Sequence, residues 1–572
     1  MVETATATAD GSTKRLRKDP AGDLHWQPLP GADPIASQQA ACESVARLLR
    51  AGALDPGQLP VLLALDLRAR PIGARLLRRY VEGDPQLQVF HRRDWSAALR
   101  LTQSFLGAYQ HFWRHIRGAA GEDAIPHAHL VVCQILHHRG VELLLRFMRY
   151  KKRVPAHWEE IHGLYKFARE RGVAGREVDP RPAQVKPAEA MTPEQGYVRL
   201  LLLDLLNNGQ FSPREGLWLD ALLGRWCRAL RLRSREENEA IEPGQAGFAV
   251  NPDGTEGLRR GLPATAGNAL FLDTSPLMAL IEQEFEANRE ADPRLGELAF
   301  ATRAGRIALL EKVAVIVDPN PVRVQRRGER TQIAAMVEGI SGFADIVQVL
   351  REEGRTDSRA TPAEGITISP LGAERYASPL PAGAGIDPSP APGAGTRVVA
   401  PRAWQVKDRS DSGCRMRGQI EDLNRLVPGA LILTRESAHA PWTVSVVRRF
   451  RRLMVDYVEI GVEDLGRRPR FVKLVLDGTN GADRADGADV EALGDAGKRC
   501  FAALYLPPSE ERPRMPIKTI LLPARCFRAG ATVTLLSANA NYTLRLNQPI
   551  HQQYEFVCVP FTVLHKRPAQ PA

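Results

Sequence analysis

Residues 404–418 read WQVKDRSDSGCRMRG, and this stretch decides how the last third of the chain is interpreted. It begins as an extended segment and ends in the pattern D-x-S-x-x-G, formed by Asp408, Ser410 and Gly413. Side chains two positions apart lie on the same side of a strand, so we expect the carboxylate and the hydroxyl to point at one partner. The glycine permits a left-handed backbone turn. The pattern therefore predicts either a binding site at a strand end or an Asx or Ser turn that closes a hairpin.

Strand-like segments follow this stretch at close spacing. They include PGALILTR at 428–435, PWTVSVVRRFRRL at 441–453 and YVEIGVEDL at 457–465. Further segments rich in β-branched and aromatic residues continue to about residue 564. The last third of the chain is therefore predicted to be antiparallel β, a barrel with a second sheet or barrel attached.

The order of these segments resembles the PilZ domain, a small β-barrel that binds cyclic di-GMP in bacteria. The resemblance covers residues 401–465 and rests on the D-x-S-x-x-G turn, the P-G-A-L-x-L strand entry and the E-I-G-V-E strand. It implies that Asp408, Ser410 and the Gly413 turn hold a guanine. The chemistry agrees, because a carboxylate accepts hydrogen bonds from the N1–H and exocyclic amine of guanine, and exposed amides of a glycine turn suit a phosphate.

PilZ domains that bind the dinucleotide also carry an R-x-x-x-R motif before the first barrel strand. The segment PVRVQRRGERTQ at 321–332 offers two registers, Arg326 with Arg330 and Arg323 with Arg327. The first is preferred because the strand-like TQIAAMVEG follows it directly. The resemblance then implies that these arginines bind phosphate or guanine, and arginine forks match both partners. A solvated basic turn is the alternative interpretation.

The distance between the two motifs departs from the family. Arg330 lies 408 − 330 = 78 positions before Asp408, and a Pro/Ala/Gly/Ser-rich stretch occupies much of the gap. Residues 334–339 can form the first barrel strand if the Pro/Ala/Gly/Ser-rich stretch is an insertion in a surface loop. The arginines and the turn then still form one site, because closing a longer loop costs only about 0.6 kcal/mol per doubling of its length. Otherwise the arginines are unrelated to the turn, and the chain lacks the arginine half of the ligand site.

The first half of the chain has helical periodicity. Leu101, Phe105, Ala108, Phe112 and Ile116 recur at steps of three and four, which predicts a helix with one apolar face that ends before Gly118. Two helix starts have a capping hydroxyl, then proline, then Glu or Gln at the third helical position: TPEQ at 192–195 and SPRE at 212–215. The result is a predicted all-α bundle or solenoid-like domain.

The predicted fold is thus multidomain, α followed by β. Residues 1–30 are expected to be a disordered leader and 31–311 an all-α domain, after which KVAVIV at 312–317 is interpreted as the first strand-like run. The remaining boundaries divide the chain into a basic segment with the first barrel strand or strands (312–350), a disordered linker or insertion (351–396), a PilZ-like barrel (397–466) and additional strands (467–572).

Composition excludes several classes. The 572 residues carry a formal net charge of +11, which suits an anionic ligand or a plain soluble surface. No signal peptide, membrane span or paired-cysteine motif is visible, which favours a reducing, cytoplasmic location. His111 and His115 are four apart, and the HWEEIH run at 157–162 lacks the spacing of a zinc peptidase helix. We therefore expect no metal, no cofactor and no enzymatic activity.

The resemblance leads to one expected function and two alternatives. The first is a cytoplasmic signalling protein that binds cyclic di-GMP through Arg326, Arg327, Arg330, Asp408, Ser410 and Gly413, and passes the signal through the helical domain to a protein partner. The second is a scaffold without ligand binding, for which pilus, flagellar or secretion components are candidate partners. The third is a nucleic-acid binder that uses RRFRR at 448–452 and RVQRRGER at 323–330.

Overall fold

The structure is a computed structural model, and it describes residues 17–18, 24–25, 33–50, 58–82, 88–118, 125–151, 154–178, 191–234, 247–261, 268–290, 303–319, 330–356, 399–420, 426–454, 456–476, 491–492, 499–508, 517–536, 540–553 and 555–568. The chain forms two compact units. The helical unit comprises Met1–Leu206, Gly216–Leu280 and Ile316–Asn320, and the β unit comprises Asn207–Glu215, Ile281–Val315 and Pro321–Ala572.

Helices dominate the described part of the first 230 residues: α1 (Pro34–Arg50), α2 (Leu59–Glu82), α3 (Gln88–Gly118), α4 (Ile125–Phe147), α5 (Pro155–Glu170), α6 (Pro193–Leu206) and α7 (Pro213–Trp226). The apolar face predicted for α3 is confirmed, because Leu101, Phe105, Ala108 and Phe112 are all buried. Most of the predicted leader lies outside the described residues. Its described parts, β1 (Arg17–Lys18) and β2 (Leu24–His25), pair as antiparallel strands.

Both predicted helix starts are confirmed as reciprocal capping boxes. At α6 the amide of Gln195 donates to Thr192 Oγ1 at 3.1 Å, and the amide of Thr192 donates to Gln195 Oε1 at 3.0 Å. At α7 the amide of Ser212 donates to Glu215 Oε2 at 2.7 Å, and the Glu215 amide donates to Ser212 Oγ at 3.3 Å. Each box satisfies two of the amides that a helix start leaves without an intrahelical partner.

The prediction of an all-α domain over 31–311 is wrong in one region. A small antiparallel sheet with strand order β3-β6-β4-β5 follows α7 and consists of β3 (Leu232–Arg233), β4 (Phe248–Val250), β5 (Arg259–Arg260) and β6 (Leu270–Leu272). Its strands are two or three residues long, too short for an alternation of apolar and polar residues to be recognised.

The strand predicted at 312–317 is also wrong. Two helices follow the small sheet, α8 (Ser275–Glu290) and α9 (Arg303–Val317), and the KVAVIV run is the end of α9. Leu309, Leu310, Val313 and Val317 are buried at helical spacing, and this burial outweighs the weak preference of β-branched residues for strands. The first barrel strand therefore begins at residue 331 rather than 312.

A closed six-stranded barrel forms the first part of the β unit. Its strands are β7 (Thr331–Ser341), β8 (Arg402–Ser410), β9 (Gly413–Gln419), β10 (Leu431–Arg435), β11 (Thr443–Arg452) and β12 (Tyr457–Arg467), and their order around the barrel is β10-β11-β12-β9-β8-β7. Because β7 pairs with both β8 and β10, residues 334–339 do belong to the first barrel strand. The chain between β7 and β8 is thus an insertion into the barrel.

Part of this insertion is a helix that the sequence interpretation missed. Helix α10 (Phe343–Thr356) follows β7 directly, and residues 357–398, where the disordered linker was predicted, lie outside the described residues. Ile346, Val349 and Leu350 of α10 are buried at helical spacing in a cluster that also contains Leu431 and Leu433 of β10. The insertion therefore contributes a helix to the core of the β unit.

The predicted additional strands are confirmed, and they form a second barrel: β13 (Arg470–Leu476), β14 (Glu491–Ala492), β15 (Arg499–Leu506), β16 (Thr519–Pro523), β17 (Thr532–Leu536), β18 (Ala540–Leu546), β19 (His551–Gln552) and β20 (Phe556–Pro568). Six of these close a ring in the order β13-β15-β16-β20-β18-β17, because β13 pairs with both β15 and β17. When the six strands of each barrel are numbered along the chain, both rings read 1-2-3-6-5-4. The two barrels therefore share one topology.

No helix in the described part of the chain is long and apolar enough to cross a membrane.

Candidate functional site

The D-x-S-x-x-G pattern lies on the hairpin between β8 and β9. Ser410 pairs with Gly413, so Asp411 and Ser412 form a two-residue turn. The Ser410 hydroxyl donates to the Gly413 carbonyl at 3.2 Å. The hairpin-closing interpretation is therefore correct for Ser410, whose side chain is occupied within the turn.

Gly413 does not adopt the left-handed conformation expected from the sequence, because it is not among the glycines with positive φ. A different constraint requires glycine at this position. A Cβ atom on Gly413 would overlap the carbonyl oxygen of Val462 on β12, which is paired next to it. The glycine is thus needed for the close approach of β12 to β9 rather than for the turn itself.

A register shift places Asp408 on the outer side of the barrel. Val406 pairs with Met416, whereas Asp408 pairs with Arg415, so β8 has one residue more than β9 between these pairs. Val406 and Met416 are buried, and directly opposed residues share one face of a sheet. The extra residue therefore turns Asp408 to the face of Arg415, an effect typical of a β-bulge.

Asp408 joins the two motifs that the sequence separates by 78 positions. Its carboxylate is only 6% exposed, and it forms ion pairs with Arg330 Nη1 at 2.8 Å and with Arg415 Nη2 at 2.6 Å. Arg330 immediately precedes β7, whose Gln332 is paired with Asp408. The insertion between β7 and β8 therefore leaves Arg330 in contact with the turn. Arg323, Arg326 and Arg327 lie outside the described residues.

The ion pairs continue around the barrel to β12. Glu459 accepts from Arg417 Nε at 2.6 Å, and Arg415 Nη1 lies 3.8 Å from the other oxygen of Glu459. Asp408 and Glu459 are buried, whereas the side chains of Arg330, Arg415 and Arg417 are 54%, 41% and 35% exposed. The acids thus lie beneath the guanidinium groups, and the surface offered to a ligand is cationic.

Arg415, Arg417 and Glu459 were not among the residues predicted from the sequence. The signal that could have identified the arginines is their alternation in CRMRG, which places both on the face opposite Met416. Glu459 required the pairing register of β12 with β9, which sets it opposite Arg417. A register of this kind depends on the whole barrel and cannot be read from one strand.

Trp404 supports the site from the inside of the sheet. It is buried on β8, opposite Gly418 of β9 and next to Gly339 of β7. A Cβ atom on Gly418 or Gly339 would lie 2.7 Å or 2.6 Å from the indole ring. The two glycines therefore provide the space for Trp404, which packs across β7, β8 and β9 on the inner face of the sheet.

The arginines of RRFRR lie on β11, where successive side chains point to opposite faces. Phe450 is buried, whereas Arg449 and Arg451 are exposed on the other face of β11. Arg448 donates from Nε to Glu463 at 2.7 Å. Two of the four arginines are therefore exposed together on the barrel.

The described histidines of the helical unit have separate surroundings. His111 and His115 are exposed on α3, and no group of three or more His, Cys, Asp or Glu side chains in the described chain has the arrangement of a metal site. His162 is buried, with Nδ1 2.7 Å from the Tyr197 hydroxyl and Nε2 3.0 Å from the Glu256 carbonyl. Burial lowers the pKa of His162, which favours the neutral ring in this structural role.

The groups around Asp408 can form further hydrogen bonds with a ligand. Each oxygen of Asp408 receives one guanidinium, and a carboxylate has about four acceptor positions, so positions remain for the donors of a guanine edge. The neighbouring arginines can donate to phosphate oxygens or stack on a base. The site therefore has the groups needed to bind an anionic purine nucleotide.

Comparison with known families gives a second, separate observation. Residues 24–237 match the family model described as the N-terminal domain of the cyclic-di-GMP receptor FimW. The match covers α1–α7 and does not extend to either barrel. A comparison with curated proteins finds no match for the chain.

Proposed function

We propose that this chain is a non-enzymatic receptor for cyclic di-GMP and that its first barrel is a PilZ-like ligand-binding domain. The observation that carries the proposal is the 2.8 Å contact between Arg330 Nη1 and Asp408 Oδ1, because it brings one arginine of the motif to the D-x-S-x-x-G turn across 78 positions of sequence. The family match supports the proposal independently, since it concerns the helical part of the chain and names a receptor for the same dinucleotide.

Binding begins with an exchange of partners at Asp408. A guanine edge presents N1–H and the exocyclic amine, and these donors take the place of Arg330 at the carboxylate. Arg330 is the most exposed member of the ion-pair network, so it can leave Asp408 for a phosphate or stack on the base. Arg415 stays beside Asp408 and preserves part of the charge balance. Arg326 and Arg327 provide the remaining donors of the arginine motif.

The receptor passes ligand occupancy to a protein partner through the helical domain, and components of pilus, flagellar or secretion machinery are the candidate partners. The motif arginines precede β7, so a ligand that binds them acts on the connection between α9 and β7. Hydrogen exchange tests this step: addition of cyclic di-GMP should change protection in the helices as well as in the barrel. Changes confined to the barrel would show that the helical domain does not respond.

Calorimetric titration with cyclic di-GMP tests the ligand assignment. We expect wild type to bind, and Arg330→Ala and Arg326→Ala each to weaken binding by about tenfold or more, the effect of losing one charge-assisted hydrogen bond. Asp408→Asn should weaken binding similarly, because one of the two acceptor oxygens that face the guanine edge is replaced by an NH2 donor. Arg545→Ala is the matched control, since Arg545 is exposed on β18 of the second barrel.

Cyclic di-AMP is the matched ligand control, because adenine lacks the N1–H donor that Asp408 requires. Absence of heat and of a mobility change with wild type would reject the receptor proposal and favour the scaffold. Binding of single-stranded DNA that falls steeply with salt, with no preference for the cyclic dinucleotide, would favour the nucleic-acid interpretation.

A further inference from the structure

The outer face of the first barrel carries two further arginines in register with the proposed site. Arg449 of β11 pairs with Gly461 of β12, and Gly461 pairs with Arg415, which pairs with Asp408. Directly opposed residues share one face, so this row runs from the turn across β9 and β12 to β11. With strands about 4.8 Å apart, the three steps from Asp408 to Arg449 span about 14 Å along the curved surface.

A second row lies beside the first. Arg451 of β11 pairs with Glu459 of β12, and Glu459 pairs with Arg417 of β9. A register shift between Val447 and Arg449 places both exposed arginines on this outer face, as the shift in β8 does for Asp408. Two bulges on separate strands therefore direct polar side chains onto one surface.

The charges on this surface do not balance. Glu459 is already shared by Arg415 and Arg417, and Glu463 is paired with Arg448. Arg449 and Arg451 are exposed, and neither side chain forms a hydrogen bond or ion pair with any residue that the structure describes. Within the described part of the barrel, the six arginines at 330, 415, 417, 448, 449 and 451 pair with, or lie opposite, the three acids at 408, 459 and 463. The surface thus has an excess of three positive charges, and it is available to an anion.

Gly461 leaves a recess between the two ends of the first row. It lacks a side chain, whereas its paired neighbours Arg415 and Arg449 project on either side of it. A Cβ atom at Gly461 would lie 3.5 Å from the Cβ atom of Arg449, an ordinary van der Waals contact, so the packing of the protein does not require glycine here. The recess allows an anionic group to approach the backbone of β12 between two guanidinium groups.

We propose that Arg449 and Arg451 are a second half of the ligand site, which binds the far phosphodiester of cyclic di-GMP across the Gly461 recess. This inference rests on the proposed function, because the near half at Arg330 and Asp408 must hold the first guanine. A cyclic dinucleotide carries two phosphodiesters on opposite sides of its macrocycle. When one guanine binds at the β8–β9 turn, the far phosphodiester therefore lies along the row toward Arg449. Guanosine monophosphate has one phosphate and occupies the near half alone.

The test compares both ligands on the full chain. In calorimetric titrations we expect Arg449→Ala/Arg451→Ala to weaken cyclic di-GMP binding by about tenfold to a hundredfold, the effect of losing one or two hydrogen bonds to a charged group. The affinity of the double variant for guanosine monophosphate, measured by competition, should equal that of wild type. Gly461→Val, which fills the recess without altering charge, should weaken only the cyclic dinucleotide. Arg545→Ala on the second barrel remains the matched control.

The outcomes distinguish failure of this inference from failure of the receptor proposal. Wild-type affinity in both the double variant and Gly461→Val, with binding still weakened in Arg330→Ala, would overturn the second half of the site and leave the receptor proposal standing. Equal weakening of both ligands would show general attraction by charge and would also overturn it. No binding by wild type would reject the receptor proposal and this inference together. Hydrogen exchange of the barrel strands verifies that each variant is folded.

Discussion

At Gly413 the constraint on the amino acid comes from the next strand of the barrel. The carbonyl oxygen of Val462 occupies the position that a Cβ atom would need, and a backbone atom cannot move aside as a flexible side chain can. The last residue of D-x-S-x-x-G is therefore glycine because of strand packing. The sequence showed that glycine was special at this position, but not which of its two properties was required.

This difference gives a prediction at the scale of one residue. Gly413→Ala should destabilise the first barrel by on the order of 1–3 kcal/mol, the usual cost of an overpacked core. Hydrogen exchange of the β9 and β12 amides measures the loss. The matched control is Gly461→Ala on β12, where a Cβ atom meets only ordinary contact at 3.5 Å. Equal protection in the two variants would contradict the packing explanation.

Asp66 shows how a buried charge fixes side-chain positions in the helical unit. Its Oδ2 atom accepts from Arg70 at 3.0 Å and from the Tyr109 hydroxyl at 3.1 Å, and lies 3.2 Å from His138 Nε2. Burial alone would raise the pKa of Asp66, but the charges of His138 and Arg70 outweigh burial and hold the pKa well below its usual value. The carboxylate thus links α2, α3 and α4.

The lowered pKa of Asp66 determines how the stability of the helical unit depends on pH. A group whose pKa is lower in the folded state stabilises the fold above its unfolded pKa, about 3.9 for Asp, and this stabilisation is lost as the pH falls below that value. We expect protection of the α2–α4 amides to decrease on acidification in wild type. Asp66→Ala should cost about 3–5 kcal/mol at neutral pH, because it leaves buried partners unpaired.

The control for Asp66 is Asp33→Ala, which removes an exposed ion pair with Arg79 and should change stability by about 1 kcal/mol or less. Hydrogen exchange of α2, α3 and α4 measures both variants. A similar, small effect of the two substitutions would show that the Asp66 network does not hold these helices together.

At the scale of elements, the sequence predicted the strands of both barrels well and two helices poorly. Strands such as β10, β11 and β12 are short runs of β-branched residues with turns between them, so their local signal agrees with the fold. In α9 the run Lys312–Val317 has the composition of a strand, but burial on one helical face decides its structure. Helix α10 was missed because it lies between a strand and a low-complexity stretch, where a change of domain was expected.

The neighbours of the candidate site residues could be predicted only in part, for the same reason. Asp408, Ser410 and Arg330 belong to local patterns, and the structure brings Asp408 and Arg330 together. Arg415 and Glu459 belong to no pattern, because only barrel closure and the bulges in β8 and β11 set their neighbours. Pairing register is a property of the whole sheet, so it is the part of a β site that a single sequence conveys least.

At the scale of the whole molecule, two barrels with the ring order 1-2-3-6-5-4 follow one another along the chain. Only the first has D-x-S-x-x-G at the hairpin between its second and third strands. Their cores are connected, since Leu431 of the first barrel and Leu504 and Leu521 of the second lie in one buried cluster with Ile346 of α10. The insertion between the first two strands of the first barrel therefore supplies a helix to this common core.

This arrangement predicts that residues 357–398 can be replaced. Their 42 positions lie between α10 and β8, whereas every pairing partner of β7 lies outside them. A Gly/Ser linker of about fifteen residues spans up to about 50 Å when extended, and shortening the loop lowers its closure cost by about 1 kcal/mol. We expect the shortened chain to keep β7 in the barrel, with exchange protection of β7 and β8 unchanged.

The replacement also tests whether the split site is one site. If Arg330 reaches Asp408 because β7 is a barrel strand, the affinity of the shortened chain for cyclic di-GMP should lie within about threefold of wild type, since no contact of the site is altered. The opposing control deletes residues 330–341, which removes β7 and should abolish both protection of β8 and ligand binding. Loss of β7 protection in the shortened chain would contradict the split-barrel arrangement whether or not the ligand binds, because the exchange measurement does not depend on the dinucleotide.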